Sequence, residues 1–427
     1  MSRAAPGPRA ALGLGAAQVA GQVIGLGMML ALAHRLGLAG FGEYAVVSAI
    51  VFVANVGTSF GTDMVLVREI AASGSVRRVA AATTVQLGLS LLAIAVLWTL
   101  SPLVAAGHSE ESTALRVLAL SLLPAALFSV CTAVLRGVTM LRTYALVGVA
   151  SSALPALAVL VFVADRAGVV RTAVVLLLAQ VAFAAAVWLL CATRVREFPM
   201  LPHGAIAEAR AMLHDSARIG VLGLLGMAYQ RLPVVALGIG SGSAAASWFT
   251  CASRTVEASK TGHVGIFSAV YPALAEAHAD GAGTTRRRDL RWSWPLTAGL
   301  GAAVTVALLL LAPEIVERLF GPAFAPSSAG LRILALSVVP STLATYRSLE
   351  LLAAHRETAT LRVLGAGLAV LVVALAALVP TTGWVGAPWA VLIAESAQAA
   401  IFLATPVGAR HQPSARSRTL SQAVSGG

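Results

Sequence analysis

Apolar residues run along this chain in long unbroken stretches, separated by short segments that carry most of the charge. The stretches fall at 10–34, 41–66, 79–101, 115–137, 143–164, 170–193, 216–240, 244–275, 292–312, 329–353, 359–379 and 384–405. Each is close to the roughly 20 residues that a helix needs to cross hydrocarbon. None shows the two-residue alternation of a barrel strand. A backbone inside a bilayer must satisfy its hydrogen bonds within its own segment, so the pattern predicts about twelve transmembrane helices. The first stretch follows a basic start (Arg3, Arg9) and contains Ala31-Leu32-Ala33, which resembles a signal-peptidase site. It is about twice as long as a signal peptide's apolar region and eleven more stretches follow, so it reads as an uncleaved first span.

Composition narrows the class. Of 427 residues, 58% are hydrophobic and 11% charged, against about 25% charged in soluble domains. Twelve spans leave only short loops, which excludes a large catalytic domain outside the membrane. The net charge of +12 would suggest nucleic acid on a soluble protein, but its distribution points to topology instead. With the N-terminus inside, twenty basic residues fall on the cytoplasmic side, in the termini, in the central linker and in loops such as Arg68, Arg77, Arg78 and Arg286 to Arg288. Six fall outside: Arg35, Arg116, Arg166, Arg171, Arg318 and Arg332. That bias places both termini in the cytoplasm of a multi-pass plasma (inner) membrane protein, with the lipid bilayer and not nucleic acid as its partner. Cys131, Cys191 and Cys251 all lie within apolar stretches and read as small buried hydrophobes.

An internal repeat organises the chain. Residues 115–124 read LRVLALSLLP and residues 331–340 read LRILALSVVP, identical at seven of ten positions. Span 4 thus corresponds to span 10. The chain divides into a six-helix lobe over 1–193, a cytoplasmic linker over 194–217, a second six-helix lobe over 218–405 and a disordered basic tail over 406–427. The two lobes are parallel repeats around a central cavity. Within the linker, Ala205 to Asp215 reads either as an amphipathic surface helix or as a plain solvated segment. Pro124 and Pro340 sit at matching places and each removes a helical hydrogen bond, which makes them candidate hinges.

Four basic side chains lie inside predicted spans: Arg231, Arg254, Lys260 and Arg347. Each costs about 2.5–3.5 kcal/mol at the centre of a membrane helix, so they must face water, acids or a ligand. On span 8, Glu257 falls between Arg254 and Lys260 on one arc of about 120°, flanked by Thr261 and His263. Arg231 precedes the helix breaker Pro233, with Tyr229 and Gln230 beside it, and Arg347 has Glu350 one turn on. The first lobe is milder, with Gln18, Gln22, Asn55 and Asp63. Asp63, Glu257, Glu350 and Glu395 are either proton carriers for coupling or salt-bridge partners. Guanidinium groups in a low-dielectric cavity suit an anionic substrate, with a diphosphate head group as the first candidate.

The segment from Ala31 to Ala71 carries a further signal. His34-Arg35-Leu36-Gly37, Phe41-Gly42-Glu43-Tyr44-Ala45, Gly57, Gly61 and Val67-Arg68-Glu69-Ile70 resemble polysaccharide-biosynthesis (O-antigen, repeat-unit type) flippases of the multidrug/oligosaccharidyl-lipid/polysaccharide (MOP) exporter superfamily. On local grounds the glycine-rich segment reads as a tight outer turn, with Tyr44 at the interface and Arg68 as an anchor. The resemblance implies translocation of an undecaprenyl-pyrophosphate-linked oligosaccharide between leaflets by alternating access, without a cofactor or metal. It places Arg231, Arg254, Lys260 and Arg347 at the pyrophosphate, with polysaccharide polymerase or glycosyltransferases as partners. Two alternatives stand beside it. One is a small-molecule or multidrug exporter of the same fold, which the absence of an acid from span 1 disfavours. The other is a membrane-embedded glycan polymerase or ligase, for which neither HExxH, nor close aspartates, nor a phosphate loop is present.

Overall fold

The computed structural model describes residues 8–104, 109–196, 198, 206–260, 293–354 and 356–406. Among these every regular element is helical. The first two spans form one run, α1 (Pro8–Ser59), folded at Gly37, where φ is 69° and ψ −175°. A residue without a Cβ adopts that geometry at least cost. The expected outer turn therefore falls at Gly37, and Phe41-Gly42 belongs to the helix that follows it. After a break at Phe60-Gly61 come α2 (Thr62–Ser73), α3 (Val79–Val104), α4 (Ser109–Ala119), α5 (Leu122–Gly137), α6 (Leu141–Phe162) and α7 (Val169–Arg194). The second half holds α8 (Ile206–Ser241), α9 (Ser243–Ser259), α10 (Ser293–Phe320), α11 (Ser327–Leu336), α12 (Val338–Ala353), α13 (Glu357–Thr382) and α14 (Gly386–Ala404).

Among the described residues, nine stretches are long and apolar enough to cross a membrane if the bent pair α11–α12 counts as one. Two of them, Gly13–Ser73 and Thr358–Ala404, turn back on themselves and hold two crossings each, while α9 supplies the start of one more. This is the layout of twelve spans in a multi-pass membrane protein. The continuation of span 8 beyond Lys260, with Thr261, His263 and the Arg286–Arg291 loop, lies outside the described residues, as does the tail from residue 407. Residues 206–217 of the linker are the first turns of α8, continuous with span 7, and do not form a separate surface helix. Their Met212 is fully buried against first-lobe residues such as Leu66 and Val130, and Asp215 lies 3.8 Å from Arg78.

The repeated decapeptides adopt matching geometry. Pro124 and Pro340 have no N–H to donate to the carbonyls of Leu120 and Leu336, and the helix breaks just there, between α4 and α5 and between α11 and α12. In both copies the serine N–H turns back to a leucine carbonyl three residues earlier, Ser121 to Leu118 and Ser337 to Leu334, each at 3.0 Å. A hydroxyl from the preceding span reaches each break: Ser90 donates to the Leu122 carbonyl at 3.2 Å and Thr305 to that of Ala335 at 3.0 Å. The repeat arginines also tie back to that span, Arg116 to Ser101 Oγ at 2.7 Å and Arg332 to the Leu309 carbonyl at 3.3 Å. The second break bends the chain by 43°.

How the core is divided positions the site. At one end of the bundle a single cluster unites both lobes, including Leu32, Phe41, Leu115 and Val169 of the first and Leu237, Phe249, Leu331 and Ala390 of the second. At the other end, which carries the arginine-rich loops and is called the basic end below, two separate clusters form. One holds Leu66, Ile70, Val130 and Met212, the other Ala344, Leu351, Val363 and Phe402. The two cores are therefore joined at the far end and separate toward the basic end, where the first turns of α8 keep contact with the first lobe. Large exposed apolar side chains such as Leu103, Leu146, Phe162, Leu310 and Val373 cover the outside, as expected of a surface solvated by lipid.

Candidate functional site

Where the lobes part lies a cavity of about 1030 Å³. Its walls come from both halves of α1 and from α6 on one side, and from α8 and α9 on the other. Close crossings hold these helices together, the first near the far end and the second toward the basic end. A Cβ on Gly42 would lie 1.8 Å from the Ser243 carbonyl oxygen, so only hydrogen fits there. Beside it Ser247 donates to the Leu38 carbonyl at 2.5 Å, and Phe41 meets Phe324 edge-on at 5.8 Å between centroids. A second crossing sets Gly220 of α8 against Phe60 and Gly61.

Among the described residues, every charged group on the cavity wall belongs to the second lobe: Arg231, Arg254 and Glu257. Glu257 accepts a hydrogen bond from Arg254 Nη1 at 2.7 Å, so this acid is already engaged. Arg231 is 9% exposed, and no ion pair or hydrogen bond holds it among the described residues. Its guanidinium carbon lies 5.0 Å from the centre of the Phe52 ring, and its Nε is buried without an acceptor. Thr250, 3% exposed, also lines the cavity with an unpartnered hydroxyl. The wall thus holds two guanidinium groups and one carboxylate, and the uncompensated cation sits deep. An anion entering here would meet fixed donors at low dielectric, where such contacts are strongest.

The other expected site residues divide between cavity and scaffold. Gln18, Gln22 and Gln230 line the cavity; Asn55, Lys260 and Arg347 are not among the lining residues. Arg347 is bound to Glu350 at 2.5 Å and to the carbonyls of Phe402 and Thr405 at 3.3 and 3.1 Å, which anchors span 10 to the end of α14. Asp63 pairs with Arg136 at 3.2 Å, whose guanidinium also lies over Tyr144 at 5.7 Å. Lys260 caps the end of α9 within electrostatic range of Glu395 of α14, and Tyr229 lies within range of the same carboxylate, its hydroxyl without a hydrogen-bond partner among the described residues. Phe52, Tyr144, Ser152 and Thr250 are cavity residues that the sequence did not single out, and Tyr44, read from the sequence as an interface residue, lines the cavity with them. Their relation to Arg231 is made across helices and leaves no local pattern. Among the described residues no group of three His, Cys, Asp or Glu could hold a metal ion.

A two-lobe helical bundle enclosing a polar cavity is the fold of MOP-superfamily transporters. An inward-facing multidrug-resistance MATE family transporter of that superfamily superposes with a TM-score of 0.71 at 17% identity, over 96% of each chain. The lipid II flippase MurJ in an inward closed conformation gives 0.75 at 11% identity, over 91% of this chain and 86% of that one. A MOP-superfamily transporter from Pyrococcus furiosus, described by a binding pocket of reversed polarity, gives 0.64 at 19% identity, over 92% and 94%. No curated protein shows significant similarity to the chain. A family model described as polysaccharide biosynthesis protein matches residues 31–329, and the chain belongs to that family.

Proposed function

We propose that this protein is a flippase that carries a lipid-linked oligosaccharide from the cytoplasmic to the outer leaflet, with a polyprenyl diphosphate of the undecaprenyl type as the carrier. The observation that carries the reading is Arg231, a buried guanidinium without a carboxylate of its own, set beside Arg254 in a cavity between two lobes. A buried cation of this kind is costly unless something anionic visits it, and a phosphoryl group takes fork-shaped donors well. We read the shared core at the far end and the cores divided at the basic end, α8 apart, as an inward-open state. The arginine distribution supports a cytoplasmic basic end and cytoplasmic termini in the plasma (inner) membrane. Translocation follows if the far-end crossings at Gly42 and Ser247 open while the basic end closes, with the breaks before Pro124 and Pro340 as hinges.

In this account the protein moves its substrate without altering it, between the glycosyltransferases that build the glycan and the polymerase that extends it. A cationic wall disfavours the export of cationic drugs, which the fold alone would permit. The test is charge removal in a strain that depends on the protein for glycan export. Arg231→Ala with Arg254→Ala should abolish surface glycan while the protein remains at normal abundance in the membrane. Normal export by the double variant would overturn the reading.

A further inference from the structure

The two walls of the cavity differ in kind, and that difference bears on how a glycan would be held. The second-lobe wall carries all the charge described. The first-lobe wall carries none among the described residues, yet it is polar: Gln18 and Gln22 of α1 and Tyr144 and Ser152 of α6 line it. Gln18 and Gln22 are one helical turn apart, so they share a face, and both are exposed into the cavity. Between them Gly21 brings the two helices together: a Cβ there would lie 3.3 Å from the Ser152 hydroxyl. No hydrogen bond to protein engages either glutamine amide among the described residues. A primary amide in a membrane helix is expensive unless it is satisfied, and here water or a ligand must satisfy it.

Resting on the phosphoryl reading above, we infer that Gln18 and Gln22, with Ser152, form a subsite for the sugar next to the phosphoryl group, so that the substrate lies across the cavity with its phosphate on the second lobe and its first sugar on the first lobe. Each amide offers a donor and an acceptor from one planar group, which matches a sugar hydroxyl that is both. A site built to hydrogen-bond hydroxyls discriminates strongly against a ligand that lacks them, because its own polar groups are then left unpaired. The polar groups described on this wall are neutral, and they suit a sugar read by its hydroxyls. Because each lobe holds a different part of one molecule, a substrate lacking the sugar would bind the second lobe and fail to engage the first.

The experiment is equilibrium binding by the purified full-length protein of two probes, a polyprenyl diphosphate bearing one neutral hexose and the same lipid diphosphate without it. The wild type should bind the sugar-bearing probe about tenfold more tightly, the size expected of one or two hydrogen bonds. Gln18→Leu with Gln22→Leu should cut that ratio below about threefold and leave the affinity for the sugar-free probe within about twofold. Ser152→Ala, a milder change, should lower the ratio part of the way. Arg231→Gln should weaken both probes alike and keep the ratio. A ratio near one in the wild type, or a full ratio in both the glutamine and Ser152 variants, overturns the sugar subsite. Failure of the wild type to bind the sugar-free probe overturns the phosphoryl reading instead; if the sugar-bearing probe still binds through the glutamines, the subsite stands without it.

Discussion

Replacing Arg231 by methionine keeps most of the side chain's volume and removes its charge. A guanidinium at the centre of a membrane helix costs about 2.5–3.5 kcal/mol. The observed return is small: one cation–π contact with Phe52 at 5.0 Å, worth about 0.5–2 kcal/mol. Glu257 returns little, because Arg254 Nη1 holds it at 2.7 Å. About 0.5–3 kcal/mol therefore remains as a net cost of keeping Arg231 in the empty protein. Arg231→Met should raise the thermal unfolding midpoint of the purified protein by a few degrees, measured at one scan rate in one detergent. Adding polyprenyl diphosphate should then stabilise the wild type and leave the variant unchanged, since ligand stabilisation follows occupancy. A fall in midpoint in the Arg231→Met variant would refute the reasoning, because it would show that the guanidinium is a structural partner and not a vacant binding group.

Further outcomes follow from the packing. Gly42→Ala places a methyl 1.8 Å from a backbone oxygen, so it should lower the unfolding midpoint, with an overpacking cost of about 1–3 kcal/mol; Gly27→Ala, with nothing within 4 Å of the new methyl, should not. Pro340→Ala restores an N–H able to bond the Leu336 carbonyl and should straighten the 43° bend, seen as a longer spin-label distance between the ends of span 10, and slow translocation; transport at the wild-type rate would remove Pro340 as a hinge. Glu350→Gln should cost about 1–3 kcal/mol and leave lipid-diphosphate binding per folded molecule unchanged, since Arg347 is held by Glu350 and two carbonyls. Weaker binding in that variant would return Arg347 to the cavity.

The span pattern and the repeat were legible because hydrocarbon imposes a local rule: length, apolarity and internal hydrogen bonding are written residue by residue. The matching breaks before Pro124 and Pro340 were legible for the same reason, since proline acts on its own helix. Gly37 and Gly42 were harder to separate. Both are glycines near one turn, but the first is required by its backbone angles and the second by a carbonyl some 200 residues away. The span cations showed the limit most clearly. Arg231, Arg254, Lys260 and Arg347 are alike in sequence, yet one lies over a phenylalanine of the other lobe, one holds an acid of its own helix, one lies within electrostatic range of Glu395 and one ties the last helix in place. Only the packing of distant helices distinguishes them. Gln18 and Gln22 stood out as polar residues in an apolar stretch, and what they face could not be read until α6 was placed beside them.

The two cavity arginines are proposed to carry a lipid phosphate across the bilayer. The most direct test of this role uses proteoliposomes holding the purified protein and a polyprenyl-diphosphate glycan, in which the glycan's exposure on each face is followed with a membrane-impermeant lectin. The account predicts that the wild type equilibrates the glycan between leaflets far faster than protein-free vesicles, and that Arg231→Met combined with Arg254→Gln falls to the protein-free rate. Equal rates for the double variant and the wild type would contradict it.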